Sequence, residues 1–289
     1  MSDVIRVSIG TDPTQALPCA VLKSSILLRA SRPVEFTESW TAENGWHPLM
    51  TRDASLKGKG TAFSWWRWLV PEVYGNEGRA IYQDVDQVCM CDIGELFDWP
   101  LFDSMDDLDD DEREQAGPAQ KMFAAVIGAE GHIGDRGTAH ELAVQTSVML
   151  MDCAACDWSY PTLARQVLAG TIEAKPGHGI DPHWANEKNP QRAAYSRLMQ
   201  AHWIDRDRIA PLPAEFNHFN IYEPGRTKIY HSTHSASQEW KTGLEDTPAK
   251  RMWFAELRIA YREGLITRQF IADEVAKGHV HKACLKAVQ

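Results

Sequence analysis

The spacing of apolar residues predicts a chain whose first half alternates strands and helices. Residues 4–9 alternate and are rich in β-branched side chains, which indicates a strand. The turn sequence GTDP follows, and apolar residues then recur at helical spacing over residues 16–29. A second short strand is predicted at residues 33–36, and a loop rich in Gly and Lys at residues 43–60.

The sequence TAFSWWRWLVP at residues 61–71 predicts a helix. Its aromatic and apolar residues recur at helical spacing, Thr61 is a candidate N-cap, and Pro71 is expected to stop the helix. Burial is the favoured state of most tryptophans in the chain. Three of them nevertheless follow one another so closely that at least one is expected to face solvent, namely Trp65, Trp66 or Trp68.

Further apolar runs predict the interior of a sheet. Residues 78–82 form a continuous apolar run, as expected of a central parallel strand that is covered on both faces. Residues 122–127 and 144–152 are also typical of strands, and the sequence DIGELFD at residues 92–98 predicts a short helix between them.

The second half of the chain is mostly helical in pattern. Four helices are predicted, at residues 160–169, 193–203, 250–263 and 267–277. The longest irregular stretch, residues 171–192, is rich in Pro and Gly, and its Trp184 is a candidate platform for an acceptor. Strands and helices that alternate first, followed by helices, predict an α/β sandwich in a single domain over residues 1–289, with C-terminal helices at residues 245–289.

An acidic run interrupts this pattern. Eight of the twelve residues at 103–114 are Asp or Glu, and Gly117 and Pro118 follow. The run lacks the spacing, the glycine and the final glutamate of the usual calcium-binding loop, so a solvated insertion at residues 103–118 is favoured over a calcium site.

Composition narrows the class of protein. With 44% hydrophobic residues the chain can build a packed core. Its net charge of -10 argues against a protein that binds mainly to the phosphate backbone of nucleic acid. An anion bound by such a chain needs the help of a metal. The sequence has no stretch of eighteen apolar residues and no signal pattern at its start, so we expect no transmembrane segment and a cytoplasmic location.

The six cysteines are expected to be reduced thiols, because several of them lie inside or beside apolar runs. A zinc site with four thiolates is the alternative. It is less favoured because buried strands already explain the four positions concerned, Cys89, Cys91, Cys153 and Cys156.

Two carboxylates end the apolar run at residues 78–82. Asp84 and Asp86 are separated by one residue, and along an extended strand such side chains point to the same face about 6.5–7 Å apart. Both can therefore converge on one divalent cation, and a cation held in this way can grip a diphosphate. Two aspartates at this spacing are common, and a helix cap or a surface pair is the alternative.

Six segments, in order along the chain, form a recognisable set. They are GTDPTQ at residues 10–15, TAFSWWRWLVP at 61–71, GRAIYQDVDQVCMCDIGELF at 78–97, SVMLMDC at 147–153, FN at 216–217 and HSTHSASQEW at 231–240. In these segments the chain resembles GT-A-type nucleotide-sugar glycosyltransferases, close to family 8, which includes glycogenin-like and bacterial lipopolysaccharide enzymes, and in particular a bacterial and phage subset. Together the six segments span most of the chain, and the resemblance implies a GT-A-like, Rossmann-type α/β/α sandwich with a mixed central sheet.

The resemblance also implies the metal ligands. Asp84 would lie toward the ribose and the metal, Asp86 would bind the metal more directly, and His231 would be the third ligand, whereas a structural histidine is the alternative for His231. Oxygen ligands with one imidazole suit Mn²⁺ or Mg²⁺ better than zinc. The metal would act as a Lewis acid on the departing nucleoside diphosphate.

Other residues receive roles from the resemblance alone. Arg67 would contact the donor or a carboxylate beside it, and Gln145 would lie beside the sugar; a surface arginine and a polar residue at a strand edge are the respective alternatives. Together with Asp86, these two form the predicted catalytic set. The predicted nucleotide-sugar pocket consists of Ile9, Gly10, Thr11, Asp12, Ser64, Arg67, Asp84, Val85, Gln238 and Lys241.

The chain departs from the family pattern near residue 238. Family 8 enzymes commonly carry Lys-Pro-Trp where this chain has Gln238, Glu239 and Trp240, so the lysine that would meet the phosphate is missing, and Lys241 is the candidate replacement. The Gly-Asp-Gln block near the acceptor is not recognisable. Retention of the anomeric configuration therefore rests on the resemblance only.

The leading prediction is a metal-dependent hexosyltransferase that uses a nucleotide sugar, of the UDP type, and an acceptor hydroxyl. The acceptor is open: a glycan, a lipid-linked saccharide, a protein or, in a phage enzyme, a hydroxymethylated DNA base. A metallohydrolase would need a second metal-binding cluster, and the sequence has none. A non-catalytic sugar-nucleotide-binding module is the remaining alternative, which loss of Asp86 or His231 would have indicated.

Overall fold

The computed structural model describes residues 3–50, 61–102, 120–128, 143–178, 188–234, 236–242 and 246–289. The acidic insertion at residues 103–118 and Trp184 lie outside the described residues, and so do parts of the predicted loops at residues 43–60 and 171–192.

The described chain contains eleven short strands and eight α-helices. The strands are β1 (Ile5–Gly10), β2 (Val34–Glu38), β3 (Trp40–Thr41), β4 (Gly45–Trp46), β5 (Arg79–Asp84), β6 (Gln87–Cys89), β7 (Phe123–Ile127), β8 (Val144–Asp152), β9 (Ile209–Leu212), β10 (His218–Phe219) and β11 (Ile229–His231). The α-helices are α1 (Ala16–Leu27), α2 (Val70–Val73), α3 (Gly94–Phe97), α4 (Tyr160–Ala169), α5 (Pro190–Met199), α6 (Pro248–Arg262), α7 (Arg268–Ala276) and α8 (Ala283–Ala287).

Six strands form the central sheet, in the order β2-β1-β5-β8-β7-β9. Strand β1 pairs in parallel with β2 and β5, whereas β8 is antiparallel to both β5 and β7. Strand β5 is therefore a central strand, as predicted, and the sheet is mixed. The α/β prediction and the mixed sheet are confirmed.

Alternate side chains of β5 face two different cores. Tyr82 packs with the tryptophans of residues 65–68 and with helices α4 and α5, whereas Ile81 packs on the opposite face with residues of α1 and α3. The period of two along a strand explains this division. Layers of helix cover both faces of the sheet, so the strand end that carries Asp84 is held from both sides.

The tryptophan-rich segment differs from the prediction. Residues Ala62–Trp68 form a 3₁₀ helix, and Pro71 does not stop the helical run but lies within the first turn of α2, where its missing N–H costs no hydrogen bond. The expectation of one exposed tryptophan is wrong, because the segment lies between the sheet and helices α4 and α5. Trp65, Trp66 and Trp68 are all at most 3% exposed.

Two of these tryptophans pack edge-on against other aromatic rings. Trp68 meets Trp158 and Trp203 at ring-centroid distances of 5.5 and 5.6 Å, and Trp65 meets Tyr160 at 6.1 Å. Edge-to-face pairs of this kind add stability beyond the area that they bury. They fix the 3₁₀ helix that carries Arg67.

A second, three-stranded sheet has the order β10-β11-β6. Strand β11 is antiparallel to β6, with His231 opposite Gln87. Only Val85 and Asp86 separate the end of β5 from the start of β6, so this pairing places His231 next to the turn that contains Asp86.

The C-terminal helices α6, α7 and α8 share a third core with α1. Helix α6 begins after Thr247, whose side chain accepts a hydrogen bond from Lys250 N. Helix α5 begins at Pro190 rather than at residue 193, because Asn189 caps it, and it ends at Met199 before Ala201 adopts a φ of 52°. No helix of the described chain has the length and apolar character needed to cross a bilayer.

All six cysteines are free thiols, as predicted. Cys89 belongs to the core on the α1 side of the sheet, and Cys153 and Cys156 belong to the core on the opposite side. The sheet separates the two groups, so the alternative of one zinc site with four thiolates is wrong.

Candidate metal centre

Three predicted ligands meet at the carboxyl end of β5. Asp84 ends this strand, Asp86 lies in the turn before β6, and His231 ends β11. Their ligand atoms all lie within 4.8 Å of one another, and among the described residues this is the one such group of His, Cys, Asp and Glu side chains. The structure therefore brings together two residues that are close in sequence and one that is distant.

Asp84 is buried and fully engaged by neighbouring donors. Arg67 Nη2 donates to both carboxylate oxygens, at 2.9 and 3.1 Å, and the Tyr82 hydroxyl donates to Oδ1. Burial raises the pKa of Asp84, and the Arg67 cation opposes this effect. Burial of the guanidinium lowers the pKa of Arg67, but the combined interactions with Asp84, Tyr82 and Tyr195 outweigh this effect, so the pKa is raised.

Arg67 is only 6% exposed, which rules out the alternative of a surface arginine. Arg67 was predicted to contact the donor or a neighbouring carboxylate, and the structure shows the contact with a carboxylate, that of Asp84. The Nη1 atom donates to Thr146 Oγ1 at 2.6 Å, and the Thr146 hydroxyl donates in turn to the carbonyl of Met199. Arg67 thus ties Asp84 to β8 and to the end of α5.

Asn217 sets the tautomer of His231. Asn217 Nδ2 donates to Ser147 Oγ at 2.9 Å, so its Oδ1 faces His231 Nδ1 at 3.0 Å. An amide oxygen only accepts, and we therefore assign the ring proton to Nδ1 from this network. The lone pair of Nε2 then points away from Asn217, toward Asp86.

Asp86 faces this lone pair. His231 Nε2 lies 3.1 Å from Asp86 Oδ1, and Gln238 Nε2 donates to Oδ2 at 3.1 Å. Asp86 Oδ1 is buried and accepts no hydrogen bond from the described part of the chain. Asp86 Oδ1 and the Nε2 of neutral His231 thus lie where one cation can bind both atoms.

The donor set fits a divalent metal ion. Carboxylate oxygens with one imidazole nitrogen suit Mn²⁺ or Mg²⁺. Neutral histidine that donates its other N–H to a fixed acceptor is the usual arrangement around a bound metal, and Asn217 is that acceptor here. Asp86 and His231 have free ligand atoms, whereas Asp84 shares both of its oxygens with Arg67 or Tyr82.

The turn after β1 lies beside the metal centre. Gly10 pairs with Asp84 across the sheet, and a Cβ atom at Gly10 would lie 2.5 Å from the Tyr82 hydroxyl and 3.3 Å from Phe63. Only glycine permits this approach. Thr11 N donates to Ser39 Oγ at 2.8 Å, which fixes the turn.

The other predicted pocket residues lie in different environments. Asp12 caps the short 3₁₀ helix Pro13–Gln15 by accepting from Thr14 N at 2.8 Å. The side chains of Ile9 and Val85 lie in the core, and Ser64 pairs with Thr61. Their place in a nucleotide pocket stays a prediction.

Gln145 lies at the edge of the sheet that carries the centre, and Lys241 follows Gln238, which contacts Asp86. Gln145 lies at the start of β8, opposite Val126 and next to a β-bulge in β7. Strand β8 is antiparallel to β5, so its start lies at the same edge of the sheet as Asp84. Lys241 is exposed, and its backbone N donates to Gln238 O at 2.8 Å.

Sequence reasoning did not assign four residues that support the centre: Tyr82, Thr146, Ser147 and Asn217. The available signals were a tyrosine within an apolar run, polar residues in the strand-like segment 144–152, and the asparagine of the matched segment 216–217.

No family model matches the sequence. A stretch of 102 residues is 32% identical to Protein CDI from Arabidopsis thaliana, and it covers 32% of this chain and 36% of that protein.

Among solved structures, the chain is similar to the galactosyltransferase LgtC, determined in complex with donor and acceptor sugar analogs. The TM-score is 0.53 at 11% identity, over 87% of this chain and 95% of LgtC. It is also similar to the glycosyltransferase GlyE of Streptococcus pneumoniae TIGR4, with a TM-score of 0.51 at 14% identity, over 96% of this chain and 64% of GlyE. The chain therefore has a GT-A-type glycosyltransferase fold and, within that fold, resembles family 8.

Proposed function

We propose that the protein is a metal-dependent glycosyltransferase, which moves a hexose from a UDP-type nucleotide sugar to an acceptor hydroxyl. The observation that carries the proposal is the cluster of Asp84, Asp86 and His231, in which Asp86 Oδ1 lies 3.1 Å from His231 Nε2, at the carboxyl end of a central strand in a GT-A-type fold. Ligands of open α/β sheets bind at this edge.

Asp86 and His231 would hold the metal, Mn²⁺ or Mg²⁺, and Asp84 would complete the protein's share of its ligands. When bound, the metal would supply positive charge that stabilises the leaving diphosphate. In a chain of net charge -10, this positive charge also explains how a polyanionic donor can be attracted.

The protein's own residues would position the ligands. Arg67 holds Asp84 in one orientation through two hydrogen bonds, and Gln238 does the same for Asp86. Asn217 accepts from the Nδ1–H of His231 and so holds the ring with Nε2 toward Asp86. Because these side chains are oriented before the substrate binds, they need little reorganisation during the reaction.

The donor would lie between the turn at residues 10–12 and the metal centre. This placement is supported by the pairing of Gly10 with Asp84 across adjacent strands. Gln145, at the same edge of the sheet, is the candidate neighbour of the transferred sugar, and the acceptor hydroxyl would attack the anomeric carbon from the open side. Retention of configuration is part of the proposal through the resemblance to family 8.

A cytoplasmic location is also part of the proposal. Six free cysteines, most of them buried, are compatible with a reducing compartment.

The test is turnover of a panel of UDP-sugars with Mn²⁺, compared with the same reactions in EDTA. We expect hydrolysis or transfer of at least one donor in Mn²⁺ and none in EDTA. The variant Asp86→Asn should lose this activity, and the control Asp157→Asn, an exposed residue paired with Arg208, should keep it. Equal donor turnover by Asp86→Asn and wild-type protein would contradict the proposal.

A further inference from the structure

A groove between α6 and α8 carries a concentration of positive charge. The groove has a volume of about 440 Å³, and its lining includes four basic side chains and one acidic one. The charged side chains are those of Lys250, Arg251, Arg258, Lys286 and Asp246. The whole chain has a net charge of -10, so the local charge of this groove is opposite in sign to that of the molecule.

The spacing of residues explains how the groove forms. Lys250, Phe254 and Arg258 recur at intervals of four along α6, so they lie in one stripe on the face toward α8. The facing residues of α8 include Ala283 and Ala287, which are too small to fill the space. Phe254 is 5% exposed and provides an apolar wall below the cations.

Internal partners account for only part of this charge. Arg251 pairs with Asp246 at 2.7 Å, and Lys250 Nζ donates to Thr242 Oγ1 at 2.7 Å. Within the ranges that the structure describes, the side chains of Arg258 and Lys286 have no carboxylate partner. The groove therefore retains excess positive charge that an anion can neutralise.

Two of these cations lie where they destabilise helix α6 but favour the binding of an anion. Lys250 and Arg251 lie in the first turn of a 15-residue helix, and that turn contains no acidic residue. The amide groups at a helix start carry partial positive charge, so cations are unfavourable there and anions are favourable. The helix start thus adds to the field of the four side chains.

We propose that this groove binds the phosphate group of a ligand that also has an apolar part. The guanidinium of Arg258 and the ammonium of Lys286 would bind the phosphate oxygens, in the way that these groups pair with phosphate elsewhere. The apolar part would pack on Phe254. The site lies outside the metal centre, and the inference does not depend on the proposed glycosyltransferase activity.

The test is calorimetric titration of the full-length protein with inorganic phosphate and with diphosphate in EDTA, against chloride at equal ionic strength. EDTA removes any metal, so binding through the metal centre does not contribute. The groove variant is Arg258→Gln with Lys286→Gln. The control, Arg262→Gln with Lys282→Gln, removes the same charge from exposed positions on α6 and just before α8.

We expect wild-type and control proteins to bind phosphate or diphosphate alike, and the groove variant to bind about tenfold more weakly. The proposal is overturned if wild-type protein binds neither anion beyond the chloride level, or if the groove variant binds as well as the control. Co-sedimentation with phosphatidylglycerol vesicles then identifies the source of the phosphate. Vesicle binding that only the groove variant loses assigns the site to a lipid headgroup, and phosphate binding without vesicle binding assigns it to a soluble phosphoester.

Discussion

Asn217 Oδ1 lies 3.0 Å from His231 Nδ1, and this contact decides which nitrogen of His231 faces Asp86. Asn217 is fully buried and comes from a different part of the chain than either aspartate. The residue that makes His231 a competent ligand is thus a neutral amide, which is hydrogen-bonded to His231 and Ser147.

Replacement of this amide should weaken metal binding. Asn217→Leu removes the nearer acceptor for Nδ1–H and leaves only Ser147 Oγ, at 3.3 Å, so the proton can move to Nε2 and form a hydrogen bond with Asp86. Loss of such an outer partner typically reduces metal affinity about 10–100-fold. Calorimetry with Mn²⁺ measures the change. Asn217→Asp, which keeps an acceptor for Nδ1–H, should lose less, and a Leu variant with wild-type affinity would contradict the role given to Asn217.

Removal of Arg67 should destabilise the fold. Arg67→Met leaves the buried Asp84 without its cation, and breaking a buried pair in this way typically costs about 3–5 kcal/mol. Urea unfolding in EDTA measures the free energy of unfolding without help from a metal. The control is Arg208→Gln, which breaks an exposed pair with Asp157 and should cost at most about 1 kcal/mol. Similar losses in the two variants would show that Asp84 does not depend on Arg67.

A methyl group at Gly10 should push the Tyr82 hydroxyl away from Asp84. Gly10→Ala places a Cβ atom 2.5 Å from that hydroxyl, and overpacking of this kind typically costs about 1–3 kcal/mol. Tyr82→Phe removes the clashing oxygen. The two changes should therefore couple in a double-mutant cycle of unfolding free energies, with a combined loss smaller than the sum. Strict additivity would argue against the contact.

His47 should make stability depend on pH. Burial lowers the pKa of His47, and Leu49 N donates to its Nδ1 at 3.3 Å, which requires an unprotonated ring nitrogen. The unfolded chain binds this proton at about pH 6.5, so it holds more protons than the folded chain just below that pH. The free energy of unfolding should therefore fall as the pH drops below about 6.5.

The variant His47→Gln should show a smaller fall over the same range, measured by urea unfolding at a series of pH values from 8 to 5. The difference between variant and wild type should be constant above about pH 7.5, where the histidine is neutral in both states. A variant whose pH profile parallels that of the wild type throughout would show that His47 does not cause the dependence.

The sequence allowed the centre of the site to be predicted, and the structure shows why its supports were missed. Asp84 and Asp86 follow an apolar run at a spacing that a strand converts into proximity, so local pattern is enough to pair them. His231 came from the family resemblance, because only the pairing of β11 with β6 brings it to the aspartates. Asn217 and Ser147 meet across two elements that no local pattern relates.

The tryptophan segment shows where a prediction from local spacing fails. Helical spacing places Trp65, Trp66 and Trp68 on different faces, which would expose one of them if the segment lay on a surface. The structure encloses the segment. Tyr160, Trp158 and Trp203 of later elements pack against Trp65 and Trp68, and His47 and Ser8 of earlier elements contact Trp66. Burial there depends on distant residues that local spacing does not report.

The central claim is that Asp86 and His231 share one divalent cation. Electron paramagnetic resonance of free Mn²⁺ during a titration of wild-type protein, Asp86→Asn and the control Asp157→Asn tests it directly. The account predicts a single bound Mn²⁺ per chain in the wild-type and control proteins, and loss of that binding in Asp86→Asn. Stoichiometric Mn²⁺ binding that survives in Asp86→Asn would contradict it.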